Sequence, residues 1–246
     1  MKKYITGLFI SVLLYTQCLS LTLLQIRNDL RVKIGDAKAD INNRHWSDSI
    51  LNTRINIVQD EIAKETLCIQ ARISTTTVAN QREYNYNSDV IVPFRMSYMI
   101  NSTSYTVYMA TSAAYKKLEF KTIAGLDNDS SNWENATPGL PMKYYERGQT
   151  YGLYPAPSTV YASTWAVQID YYKKPTALSS DNDIPFDGDV LLYSYHKLLI
   201  YGVVIMCRED DRLDVSSIKT EYWALIQKMK EDVKTRQDRS GGFGVR

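Results

Sequence analysis

The sequence has few cysteines and few histidines. Its 246 residues include three cysteines and two histidines, with no CxxC pair and no His/Cys cluster. A disulfide framework or a structural zinc site requires such groups, so the sequence indicates neither. Cys18 lies in the first twenty residues, whereas Cys68 and Cys207 close the second and third predicted helices. Those two could meet if the helices pack together, and the sequence leaves their pairing open.

The sequence motifs of common enzymes are also missing. There is no glycine-rich phosphate loop, GxSxG, HExxH or GxGxxG, and neither His45 nor His196 belongs to a recognisable catalytic motif. Carboxylates do cluster before the third predicted helix, but Pro185 interrupts them and they lack the register of a calcium loop. We interpret them as a solvated linker with helix N-cap residues, and we predict no enzyme, cofactor or metal site. The four carboxylates are Asp181, Asp183, Asp187 and Asp189.

The chain lacks a strong net charge. Its formal charge of +2 gives no field that would draw it to nucleic acid or to an anionic membrane. Basic residues gather only at the end of the fourth predicted helix, without the aromatic residues of a nucleic-acid groove. They favour the helix dipole and would suit an acidic protein partner. These residues are Lys228, Lys230, Lys234, Arg236 and Arg239.

Residues 1–20 resemble a secretory signal. Basic residues at positions 2 and 3 precede an apolar stretch, and Cys18 and Ser20 would stand at −3 and −1 if cleavage followed Ser20. The apolar stretch is short for a membrane span. An upstream extension of the reading frame, or an apolar first helix, would explain it equally. We therefore treat residues 1–20 as a signal-like leader or a start-site extension, with export left open.

Amphipathic helices are predicted near both ends of the chain. Apolar residues three and four apart predict a helix over 21–34 that Gly35 ends, followed by an exposed loop over 35–44. Ser47 as N-cap and Asp48 in the first turn predict a second helix that ends near Leu67, with Gln59 on its polar side. Two more helices are predicted over 188–208 and 214–238. The first of these is apolar nearly all round, which indicates a buried central helix or a subunit contact rather than a membrane span.

The middle of the chain favours short antiparallel strands. Alternating apolar residues and turn signals punctuate it, and most of the 19 tyrosines fall between positions 84 and 201. Tyrosine suits strands with one solvated face and also protein interfaces. The spacing predicts an antiparallel sandwich or barrel. The predicted strands are 75–78, 89–94, 103–109, 117–123, 143–147, 150–154 and 164–172.

These elements predict an α+β protein. Helices at the two ends of a chain must meet to bury their apolar faces, so we expect a helical bundle with an inserted antiparallel β-sandwich or barrel-like domain. The expected divisions are a leader (1–20), the N-terminal helices (21–72), the inserted β domain (73–180), the C-terminal helices (181–239) and a flexible tail (240–246). Three glycines disfavour a helix in the tail. It is either an unordered end or a peptide that orders in a partner's groove.

Several short motifs follow one another along the chain. They are the run 21–30, Trp46-Ser47-Asp48, Gly139-Leu140-Pro141 before Tyr144-Tyr145, the run 151–157, and Tyr171 to Pro175 followed by Leu178-Ser179 and 181–185. Their order resembles that of the head–tail adaptor (connector) proteins of tailed phages. The resemblance covers about residues 21–239.

The resemblance implies a structural virion protein of a phage or prophage. Members form a homo-oligomeric ring, commonly of twelve copies, between the portal protein and the tail or tail-tube proteins, after assembly in the host cytoplasm. The extended C-terminus often docks on the portal, which here implies a docking segment of Phe243, Gly244, Val245 and Arg246. Residues 1–20 depart from this pattern. The alternative is an exported bacterial protein whose Tyr-rich β domain binds a ligand or a cell-surface partner.

Overall fold

The computed structural model describes residues 20–38, 44–99, 115–162 and 166–239. Most of the leader, the predicted strand 103–109 and the tail 240–246 lie outside these residues. In chain order the helices are α1 (Leu23–Lys33), α2 (Asp48–Thr66), α3 (Ile123–Asp129), α4 (His196–Asp210) and α5 (Ser216–Arg239). The strands are β1 (Gln70–Thr75), β2 (Glu83–Asn85), β3 (Val90–Met99), β4 (Tyr115–Lys117), β5 (Glu119–Phe120), β6 (Lys143–Arg147), β7 (Thr150–Tyr154) and β8 (Val167–Lys173). This confirms the α+β class.

The first two helices begin and end within two residues of their predicted bounds. Thr22 caps α1 in a capping box with Gln25, and Gly35 follows the helix with a φ of 73°, a conformation that glycine adopts without strain. The Ser47 side chain accepts a hydrogen bond from the backbone N–H of Ile50 at the start of α2. Local capping chemistry therefore sets these boundaries.

Helices α1, α2, α4 and α5, here called the helical part, share one apolar core. Helix α4 packs against the other three. At Gly202 a Cβ atom would lie 2.4 Å from Cγ1 of Val58, so α4 and α2 approach closely there. Among the described residues, one segment, Val190–Asp210, is long and apolar enough to cross a membrane, and 61% of its apolar window is buried. Its packing against three helices is that of a central core helix.

The strands form two four-stranded sheets, in the orders β1-β8-β3-β4 and β2-β7-β6-β5. Side chains of both sheets share a second apolar core. Buried tyrosines in this core keep their hydroxyls bonded: Tyr151 bonds Thr75 at 2.8 Å, and Tyr98 donates to the carbonyl of Tyr161 at 2.8 Å. Nine of the described tyrosines lie in strands, and in four of these, Tyr98, Tyr145, Tyr151 and Tyr171, the ring is buried and the hydroxyl is bonded.

Several predicted elements of the β region were wrong. The first strand is Gln70–Thr75 rather than 75–78, because it pairs along its whole length with β8, a partner about a hundred residues away. The short strand β2 was missed. The predicted strand 117–123 is divided between β4 in one sheet and β5 in the other, and Thr122 then caps helix α3. Strand β5 pairs with β6 in parallel, so the second sheet is mixed rather than wholly antiparallel.

The helical part also needed corrections. The predicted helix 188–208 begins as a 3₁₀ turn, Val190–Tyr195, before α4 starts at His196. The predicted exposed loop 35–44 contains Asp36, which is 4% exposed. Gln59, placed on the polar side of α2, is 1% exposed. Both polar side chains are buried because they bond backbone groups, as described below.

Candidate functional site

The four clustered carboxylates make separate local contacts. Asp181 pairs with Arg27 at 2.8 Å, and Asp187 accepts from Lys173 Nζ at 2.7 Å. Backbone N–H groups of residues 180 and 179 donate to Asp183 and lower its pKa. Asp189 accepts from the N–H of residue 191, as an N-cap does. In the described part of the chain, no group of three His, Cys, Asp or Glu side chains is arranged to hold a metal ion.

Residues 174–187, here called the strap, are more than a solvated linker. Asn56 of α2 bonds both backbone groups of Leu178, donating to its O at 2.9 Å and accepting from its N at 2.7 Å. Gln59 donates to the carbonyl of Thr176 at 3.1 Å and accepts from the N–H of Phe186 at 2.9 Å. Two amide side chains thereby replace a partner strand, and they bind the chain that leaves β8 onto α2.

A cluster of ionised side chains joins α1 to α2, and sequence reasoning missed it. Arg31, which is 4% exposed, donates to Asp36 Oδ2 at 2.9 Å and pairs with Asp48. Arg27 donates to Asn52 at 3.2 Å besides its pair with Asp181. The only sequence signal was a pair of arginines four residues apart on the helix, which is equally typical of an exposed face.

The carboxylates of this cluster are held ionised. Burial opposes ionisation of Asp36, but N–H groups of His45 at 2.8 Å and Trp46 at 3.0 Å, with the Arg31 guanidinium, lower its pKa. The hydrogen bond from Arg31 likewise lowers the pKa of Asp48. The cluster fixes the connection between the two helices, with Arg27 and Arg31 buried at its centre.

His196, Cys68 and Cys207 are buried. His196 is 1% exposed, burial lowers its pKa to about 4, and its Nδ1 accepts from the N–H of Leu21 at 3.0 Å. It therefore ties the start of α1 to α4 as a neutral ring. Cys68 and Cys207 are free and buried, so they do not pair. Burial raises the pKa of Cys68 to about 11, which disfavours the reactive thiolate.

The surface between α2 and α5 carries exposed apolar side chains, and we call it the α2–α5 face. Ile50 and Ile57 of α2 are 43% and 42% exposed, and Trp223 of α5 is 50% exposed. An ion pair between Lys230 and Glu65 sets the two parallel helices in register. Trp223 lies about two turns before Lys230, and Ile57 lies about two turns before Glu65. Trp223 and Ile57 are therefore at about the same level along the two helices. Exposed apolar groups that lie together are typical of an interaction surface.

The basic residues of α5 are partly used within the chain. Lys230 pairs with Glu65, and Arg236 donates to the carbonyl of Leu191 at 3.1 Å. Lys228 and Lys234 are exposed. The predicted docking residues Phe243, Gly244, Val245 and Arg246 lie outside the described residues, so this prediction stays a prediction.

The comparisons with known proteins assign the chain to a family. No curated protein matches it significantly. The family model described as "SU10 adaptor protein" matches residues 21–246, which is all of the chain except the leader-like segment. This confirms the resemblance found in the motifs. The chain belongs to the SU10 adaptor protein family, a family of phage head–tail adaptors, and is thus related to structural components of virions.

Proposed function

We propose that this protein is the head–tail adaptor of a tailed phage or prophage, and that it forms a ring between the portal and the tail. The observation that carries the proposal is the family match over residues 21–246. Its role is structural: it binds the portal protein on one side and tail or tail-tube proteins on the other, without a cofactor or a catalytic step. It becomes part of the virion neck after assembly in the host cytoplasm.

The helical part supports a lateral contact between copies. In a ring, one surface of each subunit meets a different surface of the next. We propose that the α2–α5 face of one copy packs against the outer side of α1 in its neighbour, where Leu24 and Val32 are 40% and 70% exposed. Twelve copies would match the ring size common among head–tail adaptors. Repetition around the ring makes many weak contacts strong together.

The order of the elements supports a division of labour within each subunit. We infer that the four long helices act as a bundle and that the two sheets form a sandwich-like domain inserted into it. Strand β1 begins at Gln70 and β8 ends at Lys173, so we place the ends of the insert there rather than at residues 73 and 180. The strap then returns the chain to the helices. This leaves the β domain free to face the tail of the phage.

The C-terminal tail of the chain, residues 240–246, makes the portal contact. Phe243 and Val245 are its apolar residues, and glycines beside them allow an extended peptide to follow a partner's groove. The family match extends through these residues.

Electron microscopy tests the proposal directly. The full chain and a chain that ends at residue 239 are each mixed with the portal ring from the same genome. We expect extra density with the portal's symmetry for the full chain and a bare portal for the shortened one, with equal thermal stability of both. A portal still decorated by the shortened chain would rule out tail docking. A bare portal beside monomeric full chain would favour the exported, ligand-binding alternative.

A further inference from the structure

A small groove lies where α5 ends. The last turns of α5 and the 3₁₀ turn Val190–Tyr195 enclose about 260 Å³. Its apolar lining residues are Cys68, Leu191 and Val233, and its polar lining residues are Gln70, Asp189, Arg236 and Gln237.

The 3₁₀ turn beside the groove has two exposed aliphatic side chains. Leu192 and Tyr195 of the 3₁₀ turn are buried, whereas Val190 and Leu191 are 68% and 61% exposed. Leu191, which lines the groove, is thus left largely in solvent at its edge. Burying one such side chain is favourable, so the groove is suited to a single apolar side chain.

The segment that can reach the groove is the chain's own tail. Arg236 and Gln237 lie within about one turn of Arg239, where α5 ends. Residues 240–246 continue from that point, and seven extended residues span at most about 25 Å. Gly241 and Gly242 permit the chain to reverse direction. Phe243 follows them directly.

We propose that in the free subunit the groove holds the Phe243 side chain of the same chain. A segment tethered by a few residues has a high effective concentration at a nearby site, which favours the chain's own tail over that of another copy. This inference rests on the proposed function, in which the same tail later docks on the portal.

Storage of the tail would regulate assembly. The stored tail would shield the Leu191 and Phe243 side chains from solvent until the portal is present. Portal binding would then depend on release of the tail. A variant that cannot store its tail would bind the portal more tightly and would associate non-specifically more readily.

Disulfide trapping in the free protein tests the storage. Cys18 is replaced by Ser, and Cys68 and Cys207 by Ala. Phe243→Cys is then combined with Leu191→Cys at the groove, or with Lys234→Cys, an exposed position five residues before the end of α5 that does not line the groove. We expect the Leu191 pair to form a disulfide within one chain about tenfold faster, the ratio that 1.4 kcal/mol of preference gives. Equal rates for the two pairs would overturn the proposal, and so would disulfides that form only between chains.

A second measurement is made on chains whose three cysteines are left unchanged. Carboxypeptidase removes residues from the C-terminus of the free full chain, and mass spectrometry times the loss of Phe243. Leu191→Asp should speed this loss several-fold, whereas Val160→Asp, at a turn position that is 59% exposed, should leave it unchanged. Equal rates in the native protein and both variants would overturn the proposal. Neither test contains the portal, so failure of storage is separate from failure of portal docking.

Discussion

The helical part and the sheets are stabilised by different kinds of buried polar group. In the helical part, the ionised side chains of Arg31 and Asp36 pair in the interior, and Arg31 also pairs with the half-exposed Asp48. Between the two sheets, the buried polar groups are neutral hydroxyls, those of Tyr98 and Tyr151. The sheets do hold one buried carboxylate, Asp170, but its partner Arg72 is half exposed.

This difference predicts different responses to mutation and to pH. Loss of one partner in a buried ion pair leaves a charge without compensation, which costs more than loss of a neutral hydrogen bond. Ionised and titratable groups also couple stability to acid, whereas tyrosine hydroxyls stay protonated until the solution is alkaline. The helical part should therefore be the more sensitive region in both respects.

The largest effect should follow loss of Arg31. Arg31→Met leaves Asp36 buried beside a neutral side chain, and we expect the free energy of unfolding to fall by about 3–5 kcal/mol. Lys64→Ala is the control: it removes a surface pair with Asp60 at 2.5 Å and should cost about 0.5 kcal/mol. Urea denaturation monitored by circular dichroism measures both. Similar losses in the two variants would show that the cluster contributes no more than a surface pair.

The next effect concerns acid and His196. Its folded pKa of about 4 lies below the unfolded value of about 6.5, so below pH 6.5 the unfolded chain binds a proton that the folded protein does not. Stability should therefore decrease as the pH falls from 6.5 to about 4, by about 2–3 kcal/mol. His196→Gln should remove this part of the pH dependence, while His45→Gln, at a ring that is 65% exposed, should keep it. The prediction is wrong if the unfolding free energy has the same pH dependence in the native protein, His196→Gln and His45→Gln.

A smaller effect is expected between the sheets. Tyr151→Phe removes the hydroxyl that bonds Thr75 at 2.8 Å and should lower the free energy of unfolding by about 1 kcal/mol. Burial raises the pKa of Tyr151, so the hydroxyl is neutral throughout the acid range and the loss should be equal at pH 5 and pH 8. Denaturation of the variant at the two pH values provides the measurement. A loss of unfolding free energy that differs between pH 5 and pH 8 would mean that the buried hydroxyls of the sheets also couple stability to acid.

Sequence reasoning succeeded where local chemistry decides the structure. Ser47 and Gly35 marked helix boundaries correctly, and the turn at Gly148, with a φ of 61°, separates β6 from β7 where predicted. It failed where a distant partner decides. Strand β1 needs β8, and the buried position of Gln59 depends on the strap, which is more than a hundred residues away along the chain. The ionic cluster between α1 and α2 was missed for a similar reason, since an arginine on a helix is usually solvated.

The smallest effect on stability, and the most direct test of the ring, involves the α2–α5 face. Trp223→Glu changes a side chain that is 50% exposed, so the free energy of unfolding should change by less than about 0.5 kcal/mol. If the face contacts the neighbouring copy, the charge is buried in every interface of the ring, and unpaired buried charges are costly. Assembly on the portal should then fail although the subunit is folded.

Val160→Glu, on the β region with 59% exposure, is the matched control and should assemble normally. Mass photometry of each variant with the portal ring separates the cases. Normal assembly of Trp223→Glu would place the lateral contact elsewhere on the subunit, and the exposed tryptophan would then remain as a surface for a tail protein.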